Sequence, residues 1–366
     1  MSKILVVGGA GYVGSILTRE LLDRGYAVRV ADRLYFGDAA LRDVRDRIDL
    51  VIADMRALPS EVFRDIDGVV NVAGLSNDPT AEYNPAANKE MNTVATVRLA
   101  EQCRAAGVRR YVFASSCSIY DLGVSDDGKD VVLDETADVR PRAAYATSKF
   151  EAEQLLLAMA GPDFCPVILR KGTIFGFSPR MRYDLVVNTF VKDALSRGAI
   201  TIYCGGEMWR PLLDVRDAAR AYIASLEADE ELVRGQIFNV AFQNVRISEL
   251  ALRVRTALRT MGINVDIVPD YAYRGVRSYR VSSRKIEQVL GFHAKVDIEE
   301  AVREMVTGIR QYHYDDFDNP RYYNIRWVQF LEEAERTVAV TGSVFGAPPA
   351  PPVRPRVVAG GRTEER

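Results

Sequence analysis

Ile4-Leu-Val-Val-Gly8-Gly-Ala-Gly11-Tyr12-Val13-Gly14-Ser15 reads as a strand that turns through glycines into a helix. Gly8, Gly11 and Gly14 let backbone approach a pyrophosphate, and the helix N-terminus aims unpaired N–H groups and a positive dipole end at it. On its own such a stretch fits an ordinary turn as well. Its surroundings decide. Residues 15–24 carry apolar side chains at helical spacing, and Gly25 suits a helix C-terminus. Ala27-Val-Arg-Val-Ala-Asp32 then predicts a second, parallel strand ending in a carboxylate, about 20 residues past the turn, where an acid can take the ribose hydroxyls of a dinucleotide. Asp32 points to NAD. Arg33 keeps NADP open by offering a cation to an extra phosphate, and a polar residue that merely ends a strand is the alternative for Asp32.

The whole chain narrows the class. With 366 residues it can bury a large core, and we expect two lobes. Forty-eight basic against fifty acidic residues leave a net charge of −2, which disfavours general nucleic-acid or membrane-surface binding but allows local cation clusters. The four cysteines are widely spaced and there are two histidines, so no metal site is expected and reduced thiols in the cytoplasm are. Neither a signal h-region nor an apolar run of membrane-spanning length is legible.

Strands are predicted at 49–55 and 68–74, continuing a doubly wound α/β alternation. Their ends place Asp54, Met55, Ala73 and Gly74 along the adenine and ribose side of a cleft beyond the carboxyl ends of the strands. A helix over 88–106, closed by Gly107, carries Asn92, which either ties it to the loops under the cofactor or faces solvent. The fifth strand, 109–120, ends in Ser115-Ser116-Cys117-Ser118. After it, Tyr145-Ala-Thr-Ser-Lys149 opens a helix. Tyr145 and Lys149 at i and i+4 share a face, so an ammonium, with a charged nicotinamide, can favour the phenolate of Tyr145 as a general base. Ser116 can hydrogen-bond the same substrate oxygen.

In this order the motifs resemble the extended short-chain dehydrogenase/reductase family, the NAD-dependent nucleotide-sugar epimerases and dehydratases, over roughly residues 3–310. The resemblance implies a Rossmann-type doubly wound sheet with a smaller α/β substrate lobe, NAD as cofactor, a nucleotide-sugar substrate, and Ser116, Tyr145 and Lys149 as catalytic residues. It also implies a homodimer through the helices at 88–106 and 145–160. Two departures stand out. Where the family's 4,6-dehydratases carry an Asp-Glu pair after the catalytic hydroxyl, this chain has Cys117 and Ser118, which disfavours elimination. In the stretch Leu169-Arg-Lys-Gly-Thr173-Ile-Phe-Gly176, Thr173 replaces the family's asparagine.

The strand–helix rhythm breaks after Gly176. We therefore expect a nucleotide-binding domain over 1–176 with later contributions near 211–245, an interleaved substrate lobe over 177–340, and a disordered Pro/Arg-rich tail over 341–366. Arg180, Arg182 and Asn188, then Arg210, offer donors where the family binds a nucleotide diphosphate; a solvated surface role is the alternative for the first three. Amphipathic helices are read at 246–261 and 297–311. Of the arginines between them, Arg274, Arg277 and Arg280, we take Arg277 to reach the diphosphate. The stretches Asn77–Glu82 and Ser178–Asn188 shape the substrate pocket. The reading is an epimerase acting by transient oxidation at C4. A 4-ketosugar reductase or dehydrogenase is the alternative, with a dehydratase and a non-catalytic dinucleotide sensor behind it.

Overall fold

The computed structural model describes residues 2–120, 131–272 and 277–342. Strand β1 (Lys3–Val7) leads into helix α1 (Tyr12–Asp23), and β2 (Ala27–Asp32) and β3 (Ile48–Ile52) follow. After β4 (Gly68–Asn71) come α2 (Asp78–Tyr83), α3 (Pro85–Lys89) and, beyond a π-helical turn at Glu90–Val94, α4 (Ala95–Ala105). The predicted single helix over 88–106 is thus three segments. Strand β5 (Arg110–Ser116) is followed by the short β6 (Val132–Leu133), α5 (Ala144–Ala158) and β7 (Cys165–Lys171).

The second half continues with β8 (Thr173–Phe175), α6 (Val186–Arg197), β9 (Ala199–Tyr203), β10 (Trp209–Asp214) and α7 (Val215–Glu227). Asp214 caps α7, its carboxylate accepting from Arg216 N–H at 2.8 Å. Then come α8 (Glu230–Val233), β11 (Gln236–Val240), β12 (Gln243–Arg246), α9 (Ile247–Thr260), β13 (Asp266–Asp270), β14 (Arg280–Val281), α10 (Arg284–Leu290), α11 (Ile298–Gln311) and α12 (Asn324–Thr341).

Seven parallel strands form the main sheet in the order β11-β7-β5-β4-β1-β2-β3. They are apolar on both faces because both are covered: α1 and α7 pack on one side, α4 and α5 on the other. The strand order reverses between β1 and β4, so the ends of these two strands open a crevice where a Rossmann-type sheet takes its ligand. A chain segment far from the N-terminal motifs supplies β11 (Gln236–Val240). Outside the sheet, β8, β10 and β12 form a three-stranded sheet. Helices α6, α9 and α11 share a second apolar core with Tyr183, Phe175 and Met181, which holds the loop 177–185 against the mouth of the crevice.

Candidate active site

A cavity of about 700 Å³ runs from the glycine turn across the strand ends toward β10 and Tyr279. At its cofactor end, Gly8, Gly11, Tyr12, Val13 and Gly14 line the wall. Gly8 has φ of +88° and touches Ala73 so closely that a Cβ would sit 2.7 Å from the Ala73 nitrogen. A Cβ on Gly14 would overlap the Gly8 carbonyl oxygen. Gly11 caps α1 without a side chain of its own, leaving the N-terminal N–H groups turned toward the cavity. That bare helix start is a cradle for a pyrophosphate, and the residues present fit a dinucleotide.

Asp32 ends β2, with one oxygen accepting from Ala10 N–H at 2.9 Å and the other from Leu34 N–H at 2.7 Å. Each oxygen keeps a lone pair for a ribose hydroxyl. Desolvation holds its pKa above the ordinary carboxylate value despite these bonds. Arg33 lies 2.8 Å from Asp54 and stacks on Tyr35. Asp54 also holds Arg56 at 2.6 Å, and these bonds hold its pKa down at about 2. Met55 is buried in the core beneath α4. Asp32, Arg33, Asp54 and Met55 stand outside the cavity wall, while Ala73 and Gly74 are part of it.

Asn92 is fully buried and donates to the Leu75 carbonyl at 2.9 Å. Its other contacts are Asn88 and Ser148, so of the two readings open for it the helix-to-loop tie is the one observed. The π-helical turn that carries Asn92 is what places it under Gly74.

At the centre, Ser116, Tyr145 and Lys149 meet. The Ser116 hydroxyl accepts from Ser118 N–H at 3.1 Å and hydrogen-bonds the Tyr145 phenol. The Lys149 ammonium lies 6.0 Å from the Tyr145 ring centre and 4.8 Å from that of Phe113. Desolvation pushes the Tyr145 phenol up to about 12; the Arg182 guanidinium and the Ser116 bond pull the other way. The sequence assigned that cationic influence to Lys149. Instead Lys149 is pushed down to about 7, by desolvation and then by Lys171. Behind this centre, a buried network fixes the strand ends: Glu153 binds Arg170 at 2.7 Å and accepts from Ser115, and Arg170 reaches Tyr120 at 2.9 Å.

Arg182, Thr173, Arg210 and Arg277 all line the cavity. Arg182 pairs with Asp184 at 2.8 Å, Arg277 pairs with Asp78, and Arg210 donates to the Arg277 carbonyl. Arg274 lies outside the described residues. Arg180 differs from expectation. It stacks 3.6 Å from the Phe36 ring centre and feels the charge of Asp32, which puts it against the cofactor turn. Asn188 differs more. It is fully buried in α6, accepting from Gly176 N–H at 3.1 Å and donating to the Arg182 carbonyl at 2.8 Å and the Tyr12 hydroxyl at 3.1 Å. Its amide is consumed inside the wall, so it supports the loop instead of lining the cavity.

Among the further lining residues to which sequence reasoning gave no role are Lys171, Ser118, Tyr279 and Asn324. Two charged residues closing an apolar strand were a usable signal for Lys171; none existed for Asn324, which arrives from α12.

A model of the NAD dependent epimerase/dehydratase family matches residues 4–241. The chain belongs to that family. Among curated members it is 25% identical over 325 residues to a UDP-N-acetyl-alpha-D-glucosaminuronate decarboxylase of Bacillus cytotoxicus, covering 86% of this chain and 99% of that protein. A putative UDP-glucose 4-epimerase of Methanocaldococcus jannaschii is 25% identical over 317 residues, 84% of this chain and 98% of that one. Among solved structures, MoeE5 in complex with UDP-glucuronic acid and NAD superposes with a TM-score of 0.71 at 27% identity, covering 85% of this chain and all of that one. This NAD-dependent epimerase/dehydratase family member has no helix among its described residues long and apolar enough to cross a membrane.

Proposed function

We propose that the protein is an NAD-dependent epimerase of a nucleotide-activated sugar, oxidising it transiently, at C4, and restoring the opposite configuration. The meeting of Ser116, Tyr145 and Lys149 in one cavity with the glycine turn carries this reading. Gly8–Gly14, Asp32, Ala73 and Gly74 would hold the cofactor, with Asp32 for its ribose; when bound, NAD would supply the hydride acceptor and donor. Tyr145 takes the proton from the sugar hydroxyl and later returns it, Ser116 holds that oxygen in line, and Lys149 holds the nicotinamide ribose. Thr173, Arg182, Arg210 and Arg277 face the nucleotide diphosphate, with Arg180 on the cofactor side.

Epimerisation is favoured over elimination by the two residues after Ser116. The Cys117 thiol is buried and bonded to the Arg170 carbonyl at 3.0 Å, its pKa raised by burial, and Ser118 offers only a hydroxyl. Neither can serve as a carboxylic acid–base pair. We further propose that the chain pairs with a second copy through α4, the π-helical turn before it and α5, where Val94 of that turn and Leu155 of α5 are 37% and 48% exposed.

The test is a panel of nucleotide sugars incubated with the purified protein, with and without added NAD or NADP. Isomers without net cofactor consumption are expected. Stoichiometric redox products would make it a reductase or dehydrogenase, and a sugar one carbon shorter a decarboxylase. Tyr145→Phe should lower turnover by about 10²–10⁴-fold while the purified variant still carries NAD; retained turnover would sink the assignment.

A further inference from the structure

The arginines that line the cavity differ in what they are bound to. Arg182 and Arg277 are paired with the carboxylates of Asp184 and Asp78, and Arg210 donates to the carbonyls of Trp209 and Arg277. Arg180 lines the same cavity and is buried. Among the described residues its guanidinium has no carboxylate partner: it donates to the Asn324 side-chain oxygen at 2.6 Å and lies 3.6 Å from the Phe36 ring centre, and its Nε is buried without an acceptor. Burial pulls its pKa down to about 9, which leaves it a cation at neutral pH. A desolvated cation held by a neutral amide is costly until an anion completes it.

Its surroundings say which anion. Ser178, in the same loop, donates to the Tyr12 carbonyl at 2.7 Å and meets the Ser15 hydroxyl at 3.0 Å, which fastens the loop to the first turn of α1. Phe36 comes from the loop after β2 and also lines the cavity. Arg180 thus joins the bare start of α1 to the β2 loop, within electrostatic reach of Tyr12 and Asp32. That helix start suits a pyrophosphate, and the Asp32 carboxylate suits ribose hydroxyls while repelling a further phosphate on that ribose. Arg210 and Arg277, at the β10 side, leave the cofactor end to Arg180. Asn324 is the first residue of α12, beyond the residues 4–241 that the family model matches, and it also donates to the Ser76 hydroxyl at 2.6 Å. The aim of this cation therefore depends on the C-terminal helix.

We propose that Arg180, aimed by Asn324, receives the pyrophosphate of the dinucleotide together with the start of α1, so that α12 sets how long the cofactor stays bound. Arg180 is then a binding residue and Asn324 a positioning residue. A guanidinium offers phosphate two parallel N–H donors, and such charge-assisted bonds are the strong ones. The proposal needs the cofactor site and is independent of what becomes of the sugar, so its failure and that of the epimerase reading are separate results.

The experiment loads the full-length protein with NADH, follows its fluorescence, and displaces it with ADP or with adenosine, which differ only in the diphosphate. The gap between the two affinities reads the contact with phosphate. Arg180→Met should narrow that gap by about tenfold or more and leave the adenosine affinity unchanged, and Arg180→Lys should restore part of it. Tm reports folding, and Arg180→Gln gives the same reading should Arg180→Met fail to fold. Chasing bound NADH with a large excess of NAD gives the release rate. Asn324→Ala should raise that rate about tenfold in the wild-type background and add little to Arg180→Met. A gap that the Arg180 variants leave unchanged, an adenosine affinity that falls as far as that of ADP, or effects that simply add in the double variant would overturn the proposal. So would a loss confined to UDP, titrated in parallel, which assigns Arg180 to the substrate's diphosphate instead.

Discussion

Tyr145 stands between influences of opposite sign, and its titration is the most direct readout of the site. Desolvation raises the phenol to about 12, and Arg182 is the cation that opposes it. Removing Arg182 makes the phenolate less stable, so its pKa rises and the base form appears only at higher pH. The double variant Arg182→Met, Asp184→Asn deletes the pair without stranding a carboxylate. In it, the acidic limb of the kcat/KM pH profile should move alkaline by about one unit. Lys149 titrates the other way. Its folded pKa of about 7 lies below the unfolded value, so the folded chain sheds a proton that the unfolded chain keeps. The NAD-free protein therefore bears the full cost below about pH 7 and regains stability as pH rises toward the unfolded pKa. Lys149→Met should raise Tm more at about pH 6.5 than at about pH 9, in a pair of thermal melts.

At the scale of elements, the start of α1 admits no side chain at residue 14. In Gly14→Ala the new methyl meets the Gly8 carbonyl, so the turn must open, and the purified variant should carry at least about tenfold less NAD while the sheet stays folded. The strands and helices up to residue 120 were legible because each strand is an apolar run stopped by a polar or glycine residue and each helix repeats its apolar face. The π-helical turn at Glu90–Val94 was not, since a slip in backbone hydrogen bonding leaves composition unchanged; Asn92 could be named but not aimed. Asn188 misled for a related reason. Its helix turns it inward, and whether an amide meets a ligand or a neighbouring carbonyl depends on which face the helix buries. Lys171 sat inside a stretch already singled out, but only the pairing of β5 with β7 puts it beside Ser116, and no periodicity encodes the register of strands so far apart in the chain.

On the scale of the molecule, α12 clasps three separate loops around the cavity. The Trp327 indole donates to the Tyr35 carbonyl and its ring stacks against Phe36; Asn324 binds Ser76 and Arg180, each at 2.6 Å; Glu332 accepts from Tyr83 at 2.8 Å. Ending the chain after Tyr323 should weaken NAD binding by about tenfold or more, measured by titration, because Arg180 and the loop after β2 lose their partners. The helix was included in the substrate lobe by sequence but gave no hint of this contact, and the tail expected after it lies outside the described residues beyond Gly342. The bond between Trp327 and Tyr35 joins residues 292 positions apart. Closing so long a loop is entropically expensive and waits for the intervening sheet to form. Refolding should then give strand structure first and NAD-competent protein in a later, slower phase, and a growing chain short of residue 324 holds the glycine turn before the clasp that shuts over it has been made.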